Sequence, residues 1–218
     1  MRTNPFYDSW LFLIGAQGDQ TGLGAWRWLF VALFVALLVG SVAIALYRMA
    51  EEPEQRSGQH LLRWLLRTLV GAMWFQGMLW KLPMFSNQNG LYYWTYEMVG
   101  HAAFPLYSEI VTGFLLPYFN LVNPLVFMAE LAFAISLMLG IGVRLTGALG
   151  ILFVLNLWIG LYRHPQEWPW TYIFLAGLMA LFSVEAVGRS LGLDGWLRRR
   201  YPPDMTNGPA GAFTRYLA

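Results

Sequence analysis

WLFVALFVALLVGSVAIALY, residues 28–47, is a run of twenty residues without a charge. An α-helix rises 1.5 Å per residue, so the run reaches about 30 Å, the depth of a bilayer's hydrocarbon core. Read outward from it, the chain is an integral membrane protein. Of its 218 residues 57% are hydrophobic and 12% charged, where soluble domains carry roughly 25% charge. Four further apolar runs follow, at about 61–80, 121–141, 145–162 and 170–187. The expected fold is therefore all-α, with five transmembrane helices. Residues 1–27 contain Asp8 and Asp19 and have no basic leader before a short apolar block, so no cleavable signal peptide is expected. The stretch FYDSWLFLIGA, residues 6–16, is too short to span and is expected to lie along the interface.

The absence of cysteine excludes disulfides, iron–sulfur clusters and thiolate or persulfide chemistry within the chain. The net charge of +2 is small and the basic residues stand beside the spans. They read as topology signals, not as a nucleic-acid surface. Arg48, Arg56, Arg63 and Arg67 lie between the first two spans, Arg144 in the GVRLTG turn, and Arg189, Arg198, Arg199 and Arg200 after the fifth. The other side has Arg2, Arg27, Lys81 and Arg163. The richer side is expected in the cytoplasm, with the N-terminus outside and the C-terminus inside.

The connection from Met84 to Asn120 is then external. It is rich in aromatics, as in LYYWTYEMVGHAAFPLY, residues 91–107. Short interfacial helices are expected there. They read either as the ordinary aromatic belt of a membrane protein or as a cap over a binding site.

Lys81 is the only lysine. It lies fourteen residues beyond Arg67 on an outward helix, about 21 Å along the axis. Glu130 lies fourteen residues before Arg144 on an inward helix, again about 21 Å, and Asn156 twelve residues after it, about 18 Å. If Arg67 and Arg144 mark one inner surface, Lys81, Glu130 and Asn156 share a depth, and Gln76 lies just below. A charge at that depth must face the bundle and find a partner, so Lys81 is expected to pair with Glu130. The pair is either a functional centre or structural glue between helices.

Above this layer, LYRHPQEWPW, residues 161–170, supplies Arg163, His164 and Glu167, and the long connection supplies Glu97, His101 and Glu109. Lys81, Arg163 and His164 form a cationic mouth in one reading; in the other, Arg163 simply pairs with Glu167 at i, i+4. His60, His101 and His164 have no metal-ligand spacing, and no metal or haem site is expected. Glu185 and Arg189 read as a helix-end pair. The tail RRRYPPDMTNGPAGAF, residues 198–213, is Pro/Gly-rich and reads as extended, either docked on a partner or mobile.

Three segments resemble the DoxX/DoxD family of small membrane proteins. They are LLRTLVGAMWFQGMLWKL with Arg67, Gly71, Gly77 and Lys81; AELAFAISLMLGIGVRLTGAL with Glu130, Gly140 and Arg144; and AVGRSLGLDGW with Gly188, Arg189 and Asp194. The resemblance covers residues 61–196 and implies a four-helix membrane bundle made of spans two to five. Residues 1–60 then form an added N-terminal helix with its flanking segments, 84–120 an aromatic insert, and 197–218 a cytoplasmic tail. It implies the bacterial or archaeal cytoplasmic membrane. DoxD-type members belong to a thiosulfate:quinone oxidoreductase, so the resemblance implies a quinone as co-substrate and no covalent or metal cofactor. On that reading Lys81, Glu130 and Asn156 are the catalytic candidates. Arg163, His164 and His101 would bind the anionic substrate, and Trp74, Trp80, Trp158 and Tyr162 a quinone or pigment.

Two functions follow. One is the membrane subunit of a quinone-linked oxidoreductase. The other is a non-catalytic accessory subunit of a larger respiratory or photosynthetic complex, suggested by the added helix, the insert and the tail. Both have the lipid bilayer and membrane-protein subunits as partners, and neither involves nucleic acid.

Overall fold

The structure is a computed structural model that describes residues 4–14, 16, 23–202 and 208–216. Arg2, Gly15, Asp19 and tail residues 203–207, on which expectations above touch, lie outside the described residues. Among the described residues the regular structure is helical, with no strand. The helices are α1 (Pro5–Leu13), α2 (Arg27–Glu51), α3 (Gly58–Leu79), α4 (Gly90–His101), α5 (Pro105–Ile110), α6 (Phe119–Leu139), α7 (Val143–Gly160), α8 (Pro169–Val184), α9 (Leu193–Arg200) and α10 (Pro209–Tyr216).

Among the described residues three segments are long and apolar enough to cross a membrane: Leu23–Glu51, Phe119–Leu139 and Val143–Gly160. Helix α8 is apolar but has 16 residues. Helix α3 has the length, at 22 residues, but carries Arg63 and Arg67.

Helix α2 buries one narrow stripe, Phe34, Leu37, Ser41, Ala45 and Arg48, at the 3–4 residue spacing of a helix with a single packed face. Val35, Val39, Val42 and Leu46 point outward, an apolar exterior compatible with lipid contact. Helix α1 packs on α3. Asn4 caps it by accepting the Phe6 and Tyr7 N–H groups, and Phe12 and Leu13 are fully buried.

Helices α3 and α6 form one close pair and α7 and α8 another. In the second pair a Cβ on Gly147 would come within 2.6 Å of the Met179 carbonyl, so this glycine lets the two backbones touch. The Met84–Asn120 connection contains α4 and α5. It packs over the C-terminal end of α7 through Met98, Tyr107, Val111 and Leu161.

At the opposite end the α6–α7 turn is built on Gly140 and Gly142, both left-handed at φ +70° and +64°. Arg67, read above as a surface marker, is fully buried there. Its Nη2 lies 3.5 Å from the Ser190 and Leu191 carbonyls. Asp194 accepts the Gly142 and Val143 N–H groups at 2.7 and 3.1 Å, and its own N–H donates to the Gly140 carbonyl at 2.7 Å. It thereby caps the start of α7 from fifty residues away, where a carboxylate also opposes the helix dipole. Glu185 reaches across to Arg63 of α3 at 2.8 Å.

Candidate functional site

Lys81 follows the last turn of α3, and Glu130 sits midway along α6. Lys81 Nζ lies 2.7 Å from Glu130 Oε2, with side chains 9% and 4% exposed. Nζ also donates to the Gly77 carbonyl at 2.8 Å. A Cβ on Gly77 would stand 3.3 Å from Glu130 Oε2, so a larger residue would crowd the carboxylate. The lysine backbone is held as well: its carbonyl accepts from Asn89 Nδ2 and Asn123 Nδ2, both at 3.1 Å. The depth arithmetic thus identified a real contact, even though Arg67 is not at a surface.

The pair forms part of the wall of a cavity of about 550 Å³. Trp80, Trp94, Phe153, Leu157 and Leu161 make it largely apolar, and Glu167 and Tyr172 also line it. Tyr172 donates to Glu167 Oε2 at 2.8 Å. A mostly apolar cleft with a few convergent polar groups is the usual form of a small-molecule site.

Several expected members are elsewhere. Asn156 does not join the pair: it is exposed, and its Oδ1 accepts from Tyr107 of α5 at 2.7 Å. Phe153 and Leu157 turn the cavity-facing side of α7 inward, and Asn156 is rotated about 100° from Leu157. Of the four aromatics, Trp80 lines the cavity. Trp74 backs the wall, packing edge-on against Phe153 at 5.4 Å and Phe133 at 5.1 Å. Trp158 and Tyr162 pair with each other at 5.9 Å and are not among the lining residues. Trp94, Glu167 and Tyr172 were missed as cavity residues. Their aromatic and polar character was plain in the sequence, but the fold of the insert over α7 was not.

The cationic mouth is not assembled. Arg163 is exposed and donates to the Ala103 carbonyl at 3.0 Å, and Glu167 is engaged by Tyr172. His101 and His164 meet around a carboxylate: Glu97 Oε2 lies 3.3 Å from His101 Nδ1 and 3.5 Å from His164 Nε2. The two imidazole rings are 4.7 Å apart. Glu97, His101 and His164 thus form a group that could hold a metal ion, an arrangement their spacing in the sequence does not show, while His60 lies apart against Ser190. His101 ends α4, His164 sits in the α7–α8 loop, and only the folded insert joins them.

No family model, curated protein or solved structure matches the chain.

Proposed function

We propose that the chain is the membrane subunit of a quinone-linked oxidoreductase of the DoxD type, and that a quinone ring enters the cavity beside Lys81 and Glu130. One observation carries the reading: a buried ion pair at 2.7 Å belongs to the wall of an apolar, aromatic cavity. An ionisable pair at membrane depth is costly, and facing a cavity it marks a route for substrate or protons. Quinone reduction takes two electrons and two protons. The Lys81 ammonium supplies a hydrogen-bond and proton donor to a ring oxygen, and Glu130 stabilises its charge. Trp80, Trp94 and Phe153 offer faces and edges to the ring.

In this reading α2, α3, α6, α7 and α8 are five spans, the last four forming the DoxX-like bundle. The arginine-rich end faces the cytoplasm and the cavity faces outward. The electrons come from thiosulfate outside the membrane. Two thiosulfates join through a new sulfur–sulfur bond, release two electrons and leave as tetrathionate; with two protons these electrons convert one quinone to quinol. Glu97 sits where a cationic mouth was expected, so a partner subunit is the holder of thiosulfate.

The test is a titration of the purified chain in nanodiscs with a short-chain quinone analogue, followed by tryptophan quenching. Saturable quenching is expected, weakened at least about tenfold in both Lys81→Met and Glu130→Gln. Non-saturable quenching that is identical in all three proteins would sink the proposal.

The accessory-subunit reading has its own support. An apolar groove of about 830 Å³ runs between α2, residues 82–85 and α6, lined by Trp26, Phe30, Leu33, Phe85, Phe127 and Leu131. It fits an acyl chain, a pigment tail or a neighbouring helix. Co-purification with a stoichiometric large complex, without quinone binding by the isolated chain, would favour it.

A further inference from the structure

We propose that Glu97, His101 and His164 bind a divalent transition-metal ion of the zinc class, and that the ion clamps α4 to the α7–α8 loop at the rim of the cavity. The site goes beyond the quinone reading and stands whether or not the cavity takes a quinone.

The separations support an ion better than they support hydrogen bonds. Ligands at 2.0–2.1 Å from a tetrahedral zinc stand about 3.3 Å from one another. Glu97 Oε2 lies 3.3 Å from His101 Nδ1 and 3.5 Å from His164 Nε2, and all three ligand atoms fall within 4.8 Å of one another. As hydrogen bonds these gaps are long. Two imidazoles and one carboxylate suit zinc, cobalt, nickel or copper, whereas calcium and magnesium prefer all-oxygen sets. Three protein ligands leave a fourth position for water or an exchangeable group.

The scaffold holds the ligands on both sides. The Arg163 N–H donates to the His101 carbonyl and the Ala103 N–H to the Ile159 carbonyl, each at 2.8 Å. His164 is buried, its N–H donates to the Leu161 carbonyl at 3.0 Å, and Trp94 packs on its ring at 5.3 Å. Leu161 and Trp94 also line the cavity, so the clamp touches the cavity wall.

Two contacts oppose ligation. His101 Nδ1 lies 2.9 Å from the Glu97 carbonyl, and the Gln166 N–H donates to His164 Nδ1 at 3.3 Å. Ligation through His101 Nδ1 and His164 Nε2 moves each imidazole proton to the other ring nitrogen and gives up both. Affinity is therefore expected in the micromolar range and not tighter.

The experiment uses the full chain, with its purification tag removed, in nanodiscs after chelator treatment and dialysis. Calorimetric titration with Zn²⁺ alone is expected to give one equivalent bound. Glu97→Gln should weaken binding about tenfold and His101→Ala/His164→Ala at least about 100-fold. His60→Ala should leave it unchanged, because His60 lies at the other end of the bundle against Ser190 Oγ at 2.8 Å. Should the double histidine variant fail to fold, Co²⁺ loaded into the wild-type chain decides. The intense visible bands of a four-coordinate site support the proposal, and the faint spectrum of an octahedral ion overturns it. Absence of stoichiometric binding, or wild-type affinity in the double variant, also overturns it.

Discussion

Arg67 and Lys81 lie fourteen residues apart, one within α3 and one just beyond its end, and both are buried cations. Their surroundings differ in kind. Arg67 is boxed in by backbone: the left-handed turn at Gly140, the Gly192 Cα and the carbonyls of Ser190 and Leu191. Its neighbour Asp194 spends its oxygens on two backbone N–H groups. Lys81 instead meets one side-chain carboxylate and borders a cavity. A charge surrounded by main chain organises turns. A charge paired to one side chain beside a hollow can change partners. The end that holds Arg67 therefore reads as a lock and the end that holds Lys81 as a site.

The largest effect expected is at the lock. Gly140→Val would put a β-branched residue at φ +70°, overlapping the Arg67 guanidinium and 2.8 Å from the Gly192 Cα. Loss of more than about 4 kcal/mol is expected, read as failure to purify a monodisperse protein. Gly100→Ala, on α4 with nothing within 4 Å of the added methyl, should be neutral or slightly stabilising. A well-folded Gly140→Val chain would remove the distinction between the two ends.

A pair of double-variant cycles sharpens it. Lys81→Met alone strands a buried carboxylate and should cost about 3–5 kcal/mol, whereas Lys81→Met/Glu130→Gln should return to within about 1–2 kcal/mol of wild type. Arg67→Met should cost a similar ~3–5 kcal/mol. Its combination with Asp194→Asn should not recover, because the new amide cannot accept both the Gly142 and Val143 N–H groups. Thermal unfolding in one nanodisc composition measures all of these. Recovery of the Arg67–Asp194 double would mean that the Arg67 end is held by an ordinary ion pair.

The same contrast explains what could be read in advance. The Lys81–Glu130 contact was legible because a helix converts sequence position into depth at a fixed rise. Asn156 was misplaced because depth carries no rotation: one residue's turn of about 100° sends it to Tyr107. Glu97 and His101 are visible neighbours at i, i+4, but His164 arrives from a loop sixty-three residues away. The lock around Arg67 was the least legible part. Its partners are mostly carbonyls and N–H groups, and a sequence names side chains, not the direction of a backbone turn. The packing of α1 on α3 was not legible, because a short apolar segment does not name the helix it packs on.

A smaller, pH-dependent effect separates the ends without mutation. Burial pushes the Asp194 carboxyl up to about 6, against the opposing pull of the Gly142 and Val143 N–H groups and of Arg67 and Arg189. Its unfolded value is the ordinary 3.8. A carboxyl raised by folding binds its proton more tightly in the native state, so stability from this group is complete below pH ~4 and falls as pH rises through ~6. The fall amounts to at most about 3 kcal/mol, and above pH ~7 the curve should be flat with respect to this group. Denaturation midpoints from pH 4 to 7 should therefore decline, and Asp194→Asn, though less stable throughout, should lose the decline. A wild-type curve that instead rises over this window would mean that the carboxylate is held ionised by its two N–H donors. The lock would then be tightest at neutral pH, with Asp194 as its charged centre and Arg67 as its counter-ion.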